Sequence, residues 1–254
     1  MLSKAQLESA SDVAAEALFD AIVDRKLPPG SPLRLKDLSE QLGMSMMPVR
    51  EAIRRLAALD LVEIEPRKGA RVRELTMVDL EDTYFTRMHL EGLAVREAAR
   101  RFTPEAAARA ATALAERESA AASGDRVAVR DAHERFHFAI YEAAGRPWLL
   151  RSILPVWRNS ERYRVEALYR EDLAHERDHE HAEILAAVRR GDGNAAARWL
   201  TAHLASSVQL AATSLAAERG EPAPELGLPS VDELLAGAGL HGGGPVGPVV
   251  STPA

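Results

Sequence analysis

The sequence predicts a mainly α-helical protein: a short N-terminal unit of three helices and a small β-hairpin, followed by an all-α antiparallel bundle. Three observations predict it. Apolar residues recur at helical spacing along most of the chain. Strand-like alternation is confined to one stretch near residues 61–75. Gly and Pro punctuation cuts the rest into segments of ordinary helix length.

Between about Leu7 and Arg25, the residues Leu7, Ala10, Ala14, Ala17, Leu18, Ala21 and Ile22 form one apolar stripe, which Pro28-Pro29-Gly30 ends. A short helix over Leu35–Leu42 stops at Gly43. Ser45 is placed to cap a third helix reaching about Leu59, with Pro48 inside its first turn, where a missing N–H costs little. Two short helices about a tight glycine turn make a helix-turn-helix. LVEIE, PRKG and ARVREL then read as strand, turn and strand, so residues 1–75 have the layout of a winged helix-turn-helix.

Beyond Thr76 the chain is rich in Ala, Leu and Arg, with breaks at Thr103-Pro104, Ser123-Gly124, Gly145-Arg146-Pro147 and Gly191-Asp192-Gly193. About six helices of roughly 12–25 residues are expected over residues 76–217. From about Glu218 the composition turns to Gly, Pro and Ala and includes HGGGPVGPVV, so residues 218–254 are expected to form a disordered tail.

With 254 residues, 46% hydrophobic and 28% charged, disorder throughout is excluded. There is no cysteine, so disulfides, thiolate metal sites and cysteine nucleophiles are excluded; eight histidines leave an imidazole or carboxylate metal site open. No apolar run reaches membrane-spanning length, and MLSKAQLESASD lacks the apolar core of a signal peptide. A soluble cytoplasmic protein without a membrane partner is expected. The net charge of −6 hides an asymmetry: residues 25–73 carry 11 Lys/Arg against 6 acids, a local +5 that leaves −11 elsewhere. A basic front on an acidic body points to nucleic acid as partner of the front alone.

His133 and His137 lie on a helix whose apolar face is Val129, Ala132, Phe136 and Ile140. At helical spacing they fall about 40° and 80° from Val129, hence inward. His181 shares a face with Ile184, Leu185 and Val188, and His203 with Trp199, Leu200 and Leu204. One inward histidine is ordinarily a hydrogen-bonded core residue; four from three helices can converge on a metal. Glu134-x-x-His137 and Glu176-x-x-His179 also fit the Glu-x-x-His pattern of di-iron bundles, but the same geometry turns Glu134 and His179 outward to solvent. Arg87 and Glu91 share the inward face of Leu80, Tyr84, Val95 and Ala98, so Arg87 pairs with Glu91, meets a ligand carboxylate, or both.

The segment GMSMMPVREAIRRLAALDLVEIEPRKGARV resembles the winged helix-turn-helix of the GntR family of bacterial transcription regulators, through the Leu-Gly turn, Ser45, Pro48-Val49-Arg50-Glu51-Ala52, Arg54-Arg55-Leu56 and the Gly69 wing tip. The resemblance spans about residues 10–75. It implies that Arg50 meets a guanine or phosphate, that Lys36, Arg54 and Lys68 grip the backbone, and that Gly69 brings the wing to the minor groove. Met46 and Met47 stand where the family often has Arg and Thr. They cannot donate to a base and are suited instead to thymine methyls.

Arg87-Met-His-Leu-Glu91, HERFHFAIYEAAG and EHAEIL, with His203 coming 22 residues after His181, resemble the ligand-sensing domain of the FadR branch of that family. Its metal-binding members use an Asp and three His. His137, His181 and His203 match the histidines, and His133 occupies the Asp position. A neutral ligand in place of an anion implies a divalent transition metal such as zinc, nickel or cobalt, with a small anionic metabolite drawn to open coordination positions. The implied protein is a homodimeric repressor-type regulator on a pseudo-palindromic operator, its affinity set by an effector bound at Arg87, Glu91 and the metal. The rival readings are a metal-dependent enzyme in the bundle and a ligand-free DNA-binding scaffold.

Overall fold

The computed structural model describes residues 9–168 and 174–237. Helix α1 (Ala10–Val23) opens with a capping box, in which the Asp12 amide donates to Ser9 Oγ and the Ser9 amide to Asp12 Oδ2. The expected start at Leu7 lies outside the described residues. Helix α2 (Leu35–Leu42) ends where Gly43 turns left-handed at φ 62°, a conformation that costs glycine little. Helix α3 (Met46–Ala58) comes directly after Ser45. Ser45 stands at the cap position, but its hydroxyl makes no capping hydrogen bond and stays exposed.

The hairpin is the larger part of a three-stranded antiparallel sheet. Strands β2 (Val62–Glu65) and β3 (Gly69–Val72) pair with Val62 opposite Val72 and Glu65 opposite Gly69. A further strand, β1 (Pro32–Leu33), lies on the other side of β3. Two residues are too few to show alternation, and Pro32 is tolerated because β1 is an edge. Phe19, Ile22, Leu38, Val49, Ile53, Leu56, Leu61 and Val72 form the core of this unit.

Among the described residues the second unit is built on six long helices: α4 (Met77–Ala99), α5 (Pro104–Ser123), α6 (Arg126–Glu142), α7 (Pro147–Leu168), α8 (Ala174–Arg189) and α9 (Gly193–Glu218). Thr76, Thr103, Asp125 and Asp192 cap α4, α5, α6 and α9 with their side chains. Helix α9 packs on α4, α7 and α8, while α5 lies along α6. The start of α9 requires glycine: a Cβ on Gly193 would sit 3.0 Å from the backbone of Arg96. A second core, built on Tyr84, Met88, Phe136, Ile140, Trp157, Ile184, Leu200 and Leu204, is separate from the first.

The two units are tied by charge and by the backbone between them. Arg130 of α6 pairs with Asp20 of α1. Arg158 of α7 lies 3.7 Å from Glu16 and over the Phe19 ring. Arg162 Nη1 donates to the Arg73 carbonyl (2.9 Å), Arg219 Nη2 to that of Leu75 (2.6 Å), and the Thr76 amide to Tyr163 Oη (3.2 Å).

Residues 219–237 depart from the expected disordered tail. Leu226, Leu228, Leu234 and Leu235 pack against the second core, the Gly227 amide donates to Glu81 (2.8 Å), and helix α10 (Val231–Gly237) lies on α4 and α9. Residues 238–254 lie outside the described ones. Truncation after Gly220 is expected to lower the thermal midpoint by roughly 5 °C, because it exposes core area these leucines cover. Calorimetry of the truncated chain tests this, and an unchanged midpoint would show that the segment adds no burial.

Candidate metal centre

Helical periodicity brings His133 and His137 one turn apart on the inner face of α6, and α8 and α9 add His181 and His203. One ligand nitrogen from each lies within 4.8 Å of the others. The ring centroids of His133 and His137 are 4.6 Å apart, and those of His181 and His203 4.5 Å. All four are at most 3% exposed. An open groove of about 910 Å³, lined by Arg109, Glu116, Glu134, Phe138 and Arg158 among others, holds none of them.

The surrounding hydrogen bonds set the tautomers. Tyr141 donates to Glu91 Oε2 (2.6 Å), so its oxygen accepts from Nδ1–H of His137 (3.1 Å). Glu180 Oε2 accepts from Nδ1–H of His203 (2.7 Å). In both rings the lone pair is thereby fixed on Nε2: an oxygen that accepts the Nδ1–H orients the imidazole and leaves the other nitrogen free to meet a cation. His137 Nε2 and both nitrogens of His181 are buried without a hydrogen-bond partner. Buried lone pairs left unmatched are costly in a closed core, and a cation would satisfy them. The donor set therefore fits a divalent transition metal.

Arg87 and Glu91 form a bidentate pair, Nε to Oε1 at 2.6 Å and Nη2 to Oε2 at 3.2 Å, completely buried beside the cluster. Arg87 Nη1 also donates to Ser160 Oγ (3.1 Å), and its guanidinium lies 4.7 Å from the Trp157 ring. The expected ion pair is made, and it borders the imidazoles through Tyr141. Sequence reasoning missed Tyr141, Ser160, Glu161, Arg164 and Glu180, all buried near the site. Only the spacing of Tyr141, four residues after His137, signalled one of them. Glu180 sits beside His181 in sequence but serves His203 on another helix, which periodicity does not reveal. Glu161 and Glu180 are therefore inward carboxylates in addition to Glu91.

Glu134 points away from the histidines into the open groove, as expected, but it is half-buried there against Arg158 (3.4 Å), where burial outweighs that guanidinium and pushes its carboxyl up to about 6. It stands outside the histidine cluster, and His179 lies against Trp199, also outside it.

On the N-terminal unit, Lys36, Ser45, Arg50, Arg54, Lys68 and Gly69 lie at the surface, with Met46 and Met47 at 53% and 70% exposure. Among the described residues Arg50 has no ion-pair partner, whereas Arg54 lies 3.9 Å from Glu51, Lys36 3.9 Å from Glu40 and Lys68 2.9 Å from Glu65. Arg55 is drawn away to Asp12 of α1. Gly69 opens β3 at φ 96°, at the wing tip.

Burial holds all four imidazoles below the ordinary value of 6.5; the Arg164 guanidinium adds to this at His133, and Glu180 partly offsets it at His203. Below that pH the unfolded chain binds more protons than the folded one, so stability rises with pH. In chelator-treated protein the contribution is complete above about 6.5 and is lost progressively as the pH falls below it. Thermal unfolding between about pH 7 and pH 5 should show a falling midpoint; a flat profile would mean the imidazoles titrate as if exposed.

Residues 10–72 match the bacterial regulatory proteins of the gntR family, and residues 82–206 match the FCD domain. The chain is 35% identical over 196 residues to a "Probable D-xylose utilization operon transcriptional repressor" of Paenarthrobacter nicotinovorans, covering 76% of this chain and 84% of that one. It is 34% identical over 131 residues to the HTH-type transcriptional regulator McbR of Escherichia coli K12, covering 52% and 59%. The solved structure of E. coli McbR/YncC superposes with a TM-score of 0.72 at 26% identity, covering 82% of this chain and all of that one. These relatives are regulators and not enzymes, and among the described residues no helix is long and apolar enough to cross a membrane. The chain belongs to the GntR family of transcriptional regulators, with an FCD domain behind its winged helix-turn-helix.

Proposed function

We propose that this regulator binds a pseudo-palindromic operator as a homodimer and that a divalent transition metal, with a small carboxylate, sets its affinity. The observation that carries the metal reading is the matched orientation of His137 and His203, each turned by a hydrogen-bonded partner so that Nε2 offers its lone pair. His133, His137, His181 and His203 would hold the ion, zinc or nickel by ligand type. When bound, the ion supplies an electrophilic anchor for an oxyanion. Arg87, oriented by Glu91 and Ser160, supplies a nearby positive charge for the same ligand.

In this reading α3 presents Met46, Met47, Arg50 and Arg54 to the major groove while Lys36, Lys68 and the Gly69 wing tip hold phosphates. Two copies related by a two-fold axis place two such helices on the two halves of one operator. The designation of the Paenarthrobacter nicotinovorans relative as a repressor favours ligand-controlled release. The route from pocket to DNA unit runs through α6 and α7, whose inner faces carry His133, His137 and Trp157 and whose outer residues Arg130 and Arg158 hold α1.

Operator selection from random DNA and a subsequent gel-shift titration test the DNA half. Arg50→Ala should weaken specific binding by about 1–3 kcal/mol if the guanidinium reads a base, and unchanged affinity would remove Arg50 from the interface. Metal analysis of untagged protein should find about one ion per chain, lost in the His181→Ala/His203→Ala double variant. Equal metal content in the two proteins would end the metal reading.

A further inference from the structure

His133 differs from His137 and His203 in what faces its Nδ1. Those rings donate from Nδ1 to oxygen, but the partner of His133 Nδ1, at 3.0 Å, is Nη1 of Arg164. A guanidinium only donates. Nδ1 of His133 is therefore the acceptor, and the single proton of the neutral ring sits on Nε2. A neutral imidazole has one lone pair, and Arg164 takes it. Ligation of a metal through Nδ1 displaces Arg164 directly. Ligation through Nε2 moves the proton to Nδ1, where it would face the N–H of Arg164. Either way the hydrogen bond and the metal bond exclude each other.

We infer that Arg164 is an internal competitor of the metal for His133, and that the guanidinium freed by the ion becomes a binding group for a small carboxylate or comparable oxyanion. This rests on the metal reading proposed above and makes Arg164 the group that selects the second ligand to enter the pocket. Arg164 is held at one end, Nη2 donating to Glu161 Oε1 at 2.9 Å, so its release from His133 does not set the whole side chain adrift. Its buried Nε has no hydrogen-bond partner, and neither has Nε1 of Trp157. The Trp157 ring lies 4.7 Å from the Arg164 guanidinium and 5.5 Å from the His133 ring. Two buried unmatched donors beside a cluster of metal-ligand type call for a group with lone pairs of its own. The ion then has to bind first, and the anion binds the state the ion has made, which is positive coupling between two ligands of opposite charge.

The test uses the full chain, stripped with chelator and titrated with Zn²⁺ against a chromophoric competitor, with acetate as the anion probe. Because Arg164→Met alone would leave buried Glu161 without its partner, it is paired with Glu161→Gln. The double variant should bind zinc roughly tenfold more tightly than the parent, since a hydrogen bond to a charged group no longer has to be broken. Acetate should raise the thermal midpoint of the zinc-loaded parent, but not of the stripped parent or the zinc-loaded variant. Imidazole nitrogen spectra of the stripped parent should show His133 protonated at Nε2. Unchanged or weaker zinc binding in the variant, an acetate response that needs no zinc or survives the substitution, or a proton on Nδ1 each overturn the inference. A parent that takes up no zinc overturns the metal reading and this inference together, whereas zinc uptake indifferent to Arg164 overturns this inference alone.

Discussion

Keeping four buried imidazoles neutral, each with a single ring proton, is the constraint on which the rest of the bundle depends. A helical core can hold His133, His137, His181 and His203 only if they stay neutral, and neutral rings bring lone pairs that need partners. Glu180 and Tyr141 face two of them, and Arg164 faces a third. The polar residues around the cluster are therefore an inner coat whose chemistry the histidines dictate. Glu91 illustrates this, since it serves Arg87 through both oxygens and also receives the Tyr141 hydroxyl.

Helix α7 carries the largest share of that coat. From Trp157 to Arg164 it buries Asn159, Ser160, Glu161, Arg162, Tyr163 and Arg164, a run that would read as a solvated face on most helices. Burial of so polar a run is tolerated because its groups point in different directions and find partners there. Ser160 and Arg164 serve the pocket side, Asn159 and Arg162 reach Asp79 at the start of α4, and Arg158 reaches α1. A single helix thus forms a wall of the histidine site and part of the seat of the N-terminal unit.

How much of this is legible in the sequence depends on where each signal resides. Gly43 and the Thr103-Pro104, Ser123-Gly124 and Gly191-Asp192-Gly193 breaks carry their information locally, and the helix ends fall where they place them. The convergence of the four histidines is legible because each sits on its helix's apolar face. The strand β1 is not, because two residues have no period. Helix α10 is hidden by the Gly and Pro composition around it, which masks four leucines that find a surface only in three dimensions. Glu180 and Arg164 are out of reach because their partners lie on other helices, and the side of a helix that a charged residue takes is decided there by the partner and not by hydropathy. Glu134 points outward as its position on the helix predicts, but its half-burial against Arg158 is unread for the same reason, because that partner lies on another helix.

The linker between the two units has little freedom of its own. Over residues 73–76, Arg162 holds one carbonyl, Arg219 another, and Tyr163 meets both the amide and, at 3.3 Å, the carbonyl of Thr76. These hydrogen bonds restrain the joint against rotation. The displacement of the DNA unit that the proposed control calls for would then be carried by sliding of packed helices past one another, a shear of small amplitude and not a hinge rotation. In the dimer proposed above, two heads moved in that way would change their separation by ångströms, and the regularly spaced grooves of duplex DNA are the kind of ruler on which a change of that size registers.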